Sequence, residues 1–578
     1  MQQRLCSRAC AGIHWPANIG IRGVRGKGIL SVNLLNASIF IALLLDINSD
    51  RPRVGWYGCL RYQFWSFLPA WGKFEVKNLI ESWSETSLAM PQMETSSPIC
   101  LRFGNEILPI VRSRMFYAFQ VFAAIYNHRV VEPGSCSDAI HFVYGESDLE
   151  RHDSKCVFIP PRYRHRPLES HTIEPEKFCY GGETFYLVYG IDERTKNPDW
   201  LAELFEWISS SYEMGVPERD ETGRIPYLSM IFNRQGMSPR KPYASLLMAW
   251  LENALQNGSA VEALPKAPCP VRNAGHIVVS SHDIDFYYVG RTSALVRLFK
   301  NLGIAFRLYR SWSFFFSNSI MILQLAGGRR VGDYLPALIE SMRDYEFSST
   351  LFVVAQHSHR RDPDYRLEDL QSHLRGATNK TFSVELHGSY KSIIEAATLV
   401  PDILALQRVT GKKTLGNRQH WLRFDYHAKL FEALERAEMV FDSTLGFAET
   451  VGFRNGASFA FPPYNFKEEK PHNFLEIPLV LMDGNLEAAA RTLEEEPQKI
   501  ADEVLGESRK WGWGGIGSLW HNPLEPISVP DKINKVFWNC VERQQEFNEK
   551  WMSANNFLEC CLSRYQNAGL LAGVSVNA

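Results

Sequence analysis

The second half of this chain carries a series of short apolar runs, most of them closed by a polar cluster and separated by stretches with helical spacing. His276 to Ser280 (HIVVS) leads into Ser281-His282-Asp283-Ile284-Asp285. Ser348 to Ala355 reads SSTLFVVA, Thr381 to Tyr390 reads TFSVELHGSY, Asn473 to Gly484 reads NFLEIPLVLMDG, and Gly515 to Asn522 reads GIGSLWHN. Runs so short and so continuously apolar are expected to be strands buried on both faces, and strands that alternate with helices build a parallel sheet or barrel. In such folds the chemistry collects at the carboxyl ends of the strands. Three polar clusters fall at such ends: Asp283 with Asp285, His387, and His521.

Composition bounds the alternatives. A chain of 578 residues has room for two to four domains. Its formal charge of −2 gives no footprint of a nucleic-acid binder. The 11 cysteines form no CxxC pair, Cys560 and Cys561 are adjacent, and their scattered, odd number fits a reducing compartment. A cytoplasmic location is therefore expected over an exported one. Against it, Arg22, Arg25 and Lys27 precede an apolar stretch from Ile29 to Leu45 that resembles the core of a signal or anchor. That stretch begins far from Met1, contains Asn33 and Asn36, and lacks a small-residue cleavage site. It also falls short of the roughly 20 apolar residues of a spanning helix. Residues 1–95 are expected to be an irregular leader or an over-extended gene start, with export or anchoring as the alternative. No other segment has the character of a membrane span.

Residues 96–262 read as a smaller α/β domain. AIHFVYG (Ala139 to Gly145) and TFYLVYG (Thr184 to Gly190) are strand candidates, and Trp200 to Tyr212 and Pro242 to Leu255 have helical spacing. This region offers no catalytic constellation. A breaker-rich connector (Leu264 to Asn273, LPKAPCPVRN) leads into the barrel candidate at 274–528, and 529–578 read as a helical extension.

Asp283 and Asp285 share a face if the strand continues through them, since side chains two apart point the same way. Two carboxylates at the mouth of a buried strand must be paired, hydrogen-bonded or bound to a cation. One could hold a metal while the other accepts a proton, with His387 as a second ligand and His521 as an acid. Taken singly, an Asp at a strand end is a cap or a turn former, and a lone His is a hydrogen-bonded core residue. Their occurrence together at successive strand ends favours a site.

These motifs resemble the NodB-type polysaccharide deacetylases, metal-dependent carbohydrate esterases on a distorted or incomplete (β/α) barrel. The segments DSTLGFAETVGFRNG and EIPLVLMDG are similar to a bacterial subgroup with an extra N-terminal α/β domain. The resemblance implies that SHDID supplies Asp283 as general base and Asp285 as metal ligand, and that ELHGSY supplies His387 as a second ligand. Lys391 stands where the family carries a further histidine, and His420 in GNRQH is the best substitute, ahead of His357, His359 and His282. Arg418 in the same run would steady the base. Asp442 in FDSTLGF would orient the catalytic histidine, and His521 in SLWHN would be the acid. The implied cofactor is a divalent metal, zinc first. The long segment from Tyr288 to Ser348 is expected to be a helical elaboration beside the cleft.

The function implied is hydrolysis of a carbon–nitrogen, non-peptide bond: removal of an N-acetyl group from a sugar of a bacterial surface or cell-wall glycan. Two alternatives stand beside it. One is a catalytically inactive relative that binds glycan through the same cleft. The other is an amidohydrolase of small cyclic amides on the same barrel.

Overall fold

The computed structural model describes residues 96–145, 156–163, 174–180, 183–193, 197–257, 275–288, 290–357, 359–375, 381–392, 399–424, 430–512 and 514–576. The leader at 1–95, with its apolar stretch, and the connector at 264–273 lie outside them. No helix among the described residues is long and apolar enough to cross a membrane.

The described residues open with four parallel strands, β1 (Ser96–Phe103), β2 (His128–Val130), β3 (Ile140–Tyr144) and β4 (Cys156–Ile159), in the order β2-β1-β3-β4. A hairpin of β5 (Glu176–Tyr180) and β6 (Glu183–Leu187) follows. Helices α1 (Pro109–Tyr126), α2 (Trp200–Ser209) and α3 (Tyr243–Asn257) complete this part. Asp199 caps α2 through Ala202 N–H. The second oxygen of the same carboxylate accepts from Tyr144 Oη at 2.6 Å and from the Arg162 and Tyr163 amides, which ties the helix to its sheet.

The second half forms a nine-stranded sheet. β7 (His276–Asp283) is buried along all its residues, as a strand covered on both faces must be. Around it run β8 (Ser349–Val353), β9 (Phe382–Gly388), β10 (Gly416–Gln419) and β11 (Phe441–Asp442). A small antiparallel pair, β12 (Tyr464–Asn465) and β13 (Lys470–Pro471), stands apart. With β14 (Leu475–Glu476), β15 (Leu479–Met482) and β16 (Gly514–Leu519), eight of the nine strands run in the order β14-β11-β10-β9-β8-β7-β16-β15, and the ninth, from the C-terminal segment, lies beside β7.

The two ends of that row are one stretch of chain interrupted at Ile477 and Pro478. Its first part pairs with β11 and its second with β16. Ile477 N–H donates to the Asp442 carbonyl and Leu479 N–H to the Leu445 carbonyl, so the row closes on itself through a broken strand. Pro478 has no amide hydrogen to give the ladder, which accounts for the break. The fold is a distorted (β/α) barrel.

Between β7 and β8 the expected elaboration is a helical hairpin, α4 (Arg291–Arg307) and α5 (Trp312–Ala326), followed by α6 (Leu335–Asp344). Helices α7 (Leu367–Arg375), α8 (Leu399–Thr410) and α9 (Leu430–Arg436) connect the middle strands, and α10 (Asp483–Leu493) and α11 (Pro497–Trp511) lie between β15 and β16. The C-terminal extension is not helical throughout. Between α12 (Asp531–Glu542) and α13 (Ala554–Asn567), the strand β17 (Glu549–Met552) pairs with the first half of β7. Trp551, in that strand, is buried opposite Val278.

One continuous apolar core runs through the small sheet, the barrel and the C-terminal segment. Polar ties cross it as well. Tyr117 Oη donates to the Pro462 carbonyl, and Tyr565 Oη to the Ala460 carbonyl. Arg454 grips Glu213 with two bonds of 2.9 and 2.6 Å, both side chains buried. Breaking one partner of a buried ion pair strands the other charge. Glu213→Ala is therefore expected to cost about 3–5 kcal/mol of stability, read from urea unfolding curves.

Candidate functional site

The barrel strands deliver their polar ends to one place. β7 brings Asp283 and, two residues on, Asp285; β9 brings His387; β10 brings Arg418, and the turn after it His420. Parallel register sets His387 beside Arg418. Close approach of β9 and β10 depends on Gly388, where an added Cβ would lie 2.5 Å from Gln419 Oε1.

Asp285, His387 and His420 each offer one atom within 4.8 Å of the others. His387 Nδ1 lies 2.8 Å from the Arg418 carbonyl, which can only accept, so Nδ1 carries the ring proton and Nε2 keeps a lone pair. That Nε2 is buried with no hydrogen-bond partner, 3.6 Å from Asp285 Oδ1, itself buried and unbonded. Burial holds the His387 pKa below its usual value, which keeps the ring neutral.

His420 presents Nε2 to Asp285 Oδ2 at 3.3 Å, and its Nδ1 lies 3.1 Å from Asp362 Oδ1. Burial opposes charge on this ring, but the Asp285 and Asp362 carboxylates outweigh it and push its pKa up to about 9. Asp362 is held by the His359 and Tyr390 amides, so it orients His420 from behind, as carboxylates do for metal-ligating histidines. Two unbonded buried donors and a third braced by a carboxylate, in an O, N, N set, fit a zinc-like ion with open positions.

Asp283 stands beside this triad. Its Oδ1 accepts from Arg418 Nη1 at 2.9 Å, and its Oδ2 lies 3.5 Å from His387 Nε2. Arg418 reaches across the barrel interior from a non-adjacent strand. It is fixed by Ser281 Oγ, Ser443 O and Ser443 Oγ, and lies 4.2 Å over the Phe352 ring.

On the other side His521 turns Nε2 toward Asp285 Oδ2 at 3.7 Å. Its Nδ1 is 2.8 Å from Asp483 Oδ1, and its backbone N–H donates to Asp483 Oδ2 at 2.9 Å. Burial works against the charged ring, yet Asp483 and then Asp285 prevail and push its pKa up to about 9.

The expectation that Asp442 orients His521 is corrected here. Asp442 accepts from Asn417 Nδ2 and the Thr444 amide, and pairs across the strands with Glu476. Strand order decides the matter: β15 lies against β16, with Met482 opposite Leu519, so the residue after Met482 meets the end of the His521 strand. Asp483 closes the quoted run EIPLVLMDG just as Asp283 closes its own strand, and that signal was available in the sequence. Asp362, in the loop after β8, carried no such signal.

The weaker histidine candidates are otherwise engaged. His282 faces out of the barrel toward Phe537, with Nδ1 on the Trp520 carbonyl, and burial pushes it down to about 4. His357 is bonded to the Tyr365 carbonyl, and His359 stacks on Tyr390. Lys391 is exposed in the turn after β9. At the rim, Trp421 is 42 % exposed and sits at φ 65°, a backbone conformation unusual for a bulky residue.

Fold and side chains together define a distorted (β/α) barrel with a candidate metal site at the carboxyl ends of its strands. At the sequence level no protein-family model and no curated protein matches the chain. Among solved structures it is similar to a Mycobacterium smegmatis protein classed with the polysaccharide deacetylases (14% identity, 52% of this chain and 95% of that one, TM-score 0.33). It is also similar to the peptidoglycan deacetylase PdaC from Bacillus subtilis (10% identity, 50% and 93%, TM-score 0.25). A further similar structure is a CE4 family pseudoenzyme from Bacillus anthracis (11% identity, 39% and 61%, TM-score 0.23).

Proposed function

We propose that the chain is a metal-dependent hydrolase that removes N-acetyl groups from sugars of a bacterial surface or cell-wall glycan. The observation that carries this reading is the convergence of the unbonded Asp285 Oδ1 and His387 Nε2 with His420 Nε2, flanked by an Arg-held carboxylate and an Asp-held imidazole. A divalent ion bound by these three residues would supply Lewis acidity and a water of lowered pKa. Asp283, aimed by Arg418, takes a proton from the attacking water. His521, held protonated by Asp483, delivers a proton to the departing amine nitrogen, so the products are acetate and a free amino sugar. Trp421, exposed beside His420, offers a face on which a sugar ring can stack.

The test is acetate release from N-acetylated oligosaccharides set against ring amides, with and without a chelator. Release from the sugars alone, abolished by the chelator and restored by zinc, supports the reading. Turnover of ring amides alone points to the cyclic-amide alternative, and bound glycan with no turnover to the inactive one.

Proton and metal compete for His420 Nε2. Below about 9 the ring holds the proton, and raising the pH removes that competitor. The apparent affinity for zinc is thus expected to rise about tenfold per pH unit between about 6 and 8. Calorimetry in buffers of different ionisation enthalpy should record about one proton released at neutral pH. A pH-independent affinity would show that His420 is not a ligand.

A further inference from the structure

The hairpin of α4 and α5 is apolar on two opposite faces. Its inner face is already used: Ala294, Leu298, Met321 and Leu325 pack with Val331 and Ile527 into a small core of their own. Two buried amides fix its seat, with Asn301 Nδ2 donating to Asn318 Oδ1 and the Ile527 carbonyl, and Asn318 Nδ2 to the Pro526 carbonyl. The outer face should be polar on a helix that ends at the solvent. Instead α4 exposes Val296, Phe299 and Phe306 at helical spacing, at 51%, 60% and 44%. On α5, Trp312, Phe316, Ile320 and Leu323 form a second outward stripe, each more than half exposed. Phe306, Trp312, Phe315 and Phe316 meet ring to ring at the turn between the helices. Contiguous exposed apolar surface on this scale marks an interaction site.

Charge identifies the occupant. Between Arg291 and Arg330 there is no Asp or Glu, whereas Arg291, Arg297, Lys300, Arg307, Arg310, Arg329 and Arg330 are all basic. Lys300, Arg307 and Arg310 are exposed beside the apolar stripes. A chain of net charge −2 has concentrated cations where it also concentrates exposed aromatics. A second copy docked through the same face would set like charges together, which opposes that pairing. An apolar stripe bordered by Lys and Arg suits the interface of an anionic bilayer, where rings enter the acyl boundary and cations meet phosphate headgroups. At 15 residues, α5 is about 22 Å long, too short for a hydrocarbon core of about 30 Å, so it lies on the membrane and does not cross it.

We infer that this hairpin is a membrane-docking element for anionic phospholipid surfaces. It is rooted at the active-site end of the barrel: α4 starts six residues after Asp285, and Phe286, edge-on to the His521 ring, lies under Arg297 at 4.6 Å. Docking therefore holds the carboxyl ends of the barrel strands near lipid. The inference stands independently of the metal site.

The test is flotation of the full chain with vesicles of phosphatidylcholine alone or with about 30 mol % phosphatidylglycerol. Binding to the anionic vesicles is expected to exceed binding to the neutral ones about tenfold, and to weaken severalfold as salt rises from about 0.05 to about 0.5 M. Trp312→Ser/Phe316→Ser/Leu323→Ser should lower it at least about tenfold with an unchanged circular dichroism spectrum. Arg307→Gln/Arg310→Gln, which leaves the packing intact, should lower it about threefold to tenfold and flatten the salt response. Three results overturn the inference: no flotation of the wild type, equal flotation of wild type and both variants, or a lipid-indifferent dimer that the triple substitution dissociates.

Discussion

Asp285→Ala should empty the metal site and abolish turnover while leaving the fold in place. Wild-type protein loaded with zinc and dialysed is expected to retain about one ion, and the variant less than about a tenth of that, by elemental analysis. Acetate release should fall by about a thousandfold or more, since the loss of Lewis-acid stabilisation is worth several kcal/mol. Asp285 alone faces both histidines of the triad and His521. Its Oδ1 makes no hydrogen bond, and the two rings facing its Oδ2 keep their other carboxylates, Asp362 and Asp483, so truncation breaks little that holds the barrel together. The thermal midpoint should move by no more than about 3 °C. Retained metal with retained turnover would remove Asp285 from the mechanism.

The second large effect separates two aspartates at neighbouring strand ends. Asp483→Asn should lower kcat by about 10²- to 10⁴-fold, because the amide neither fixes the His521 tautomer nor stabilises its charged ring. The pH limb for the protonated acid should shift down as well, since the carboxylates that hold His521 up near 9 are led by Asp483. Asp442→Asn should leave kcat within about threefold, because Asp442 bonds Asn417 and Thr444 and not the histidine. Steady-state kinetics on an N-acetylated oligosaccharide decides between them. Equal losses in both variants would return Asp442 to the site.

The sequence alone determined which residues could carry chemistry. Buried strands had to be continuous apolar runs, so Asp283, Asp285, His387 and His521 stood out as polar groups at their ends, and the alternation with helices required a parallel arrangement. Arg418 and His420, in GNRQH, entered only through the family resemblance. Asp285, His387 and His420 do meet, and Arg418 does hold Asp283. Asp442 and Asp483 both close strands in the sequence, so both were legible as candidates, but nothing local chose between them as the partner of His521. Only the order of strands, with β15 against β16, set Asp483 beside it. Asp362 was hidden for a related reason: it lies in a loop with no periodic pattern, and its contact with His420 joins residues far apart in the chain. β17 has no signature in the sequence because four residues cannot show a period, and only the first half of β7 makes them a strand. The residue types and their places at strand ends are local properties, written in apolar patterning. Which of those ends face one another depends on sheet closure and register, and these long-range pairings exist only in the folded barrel.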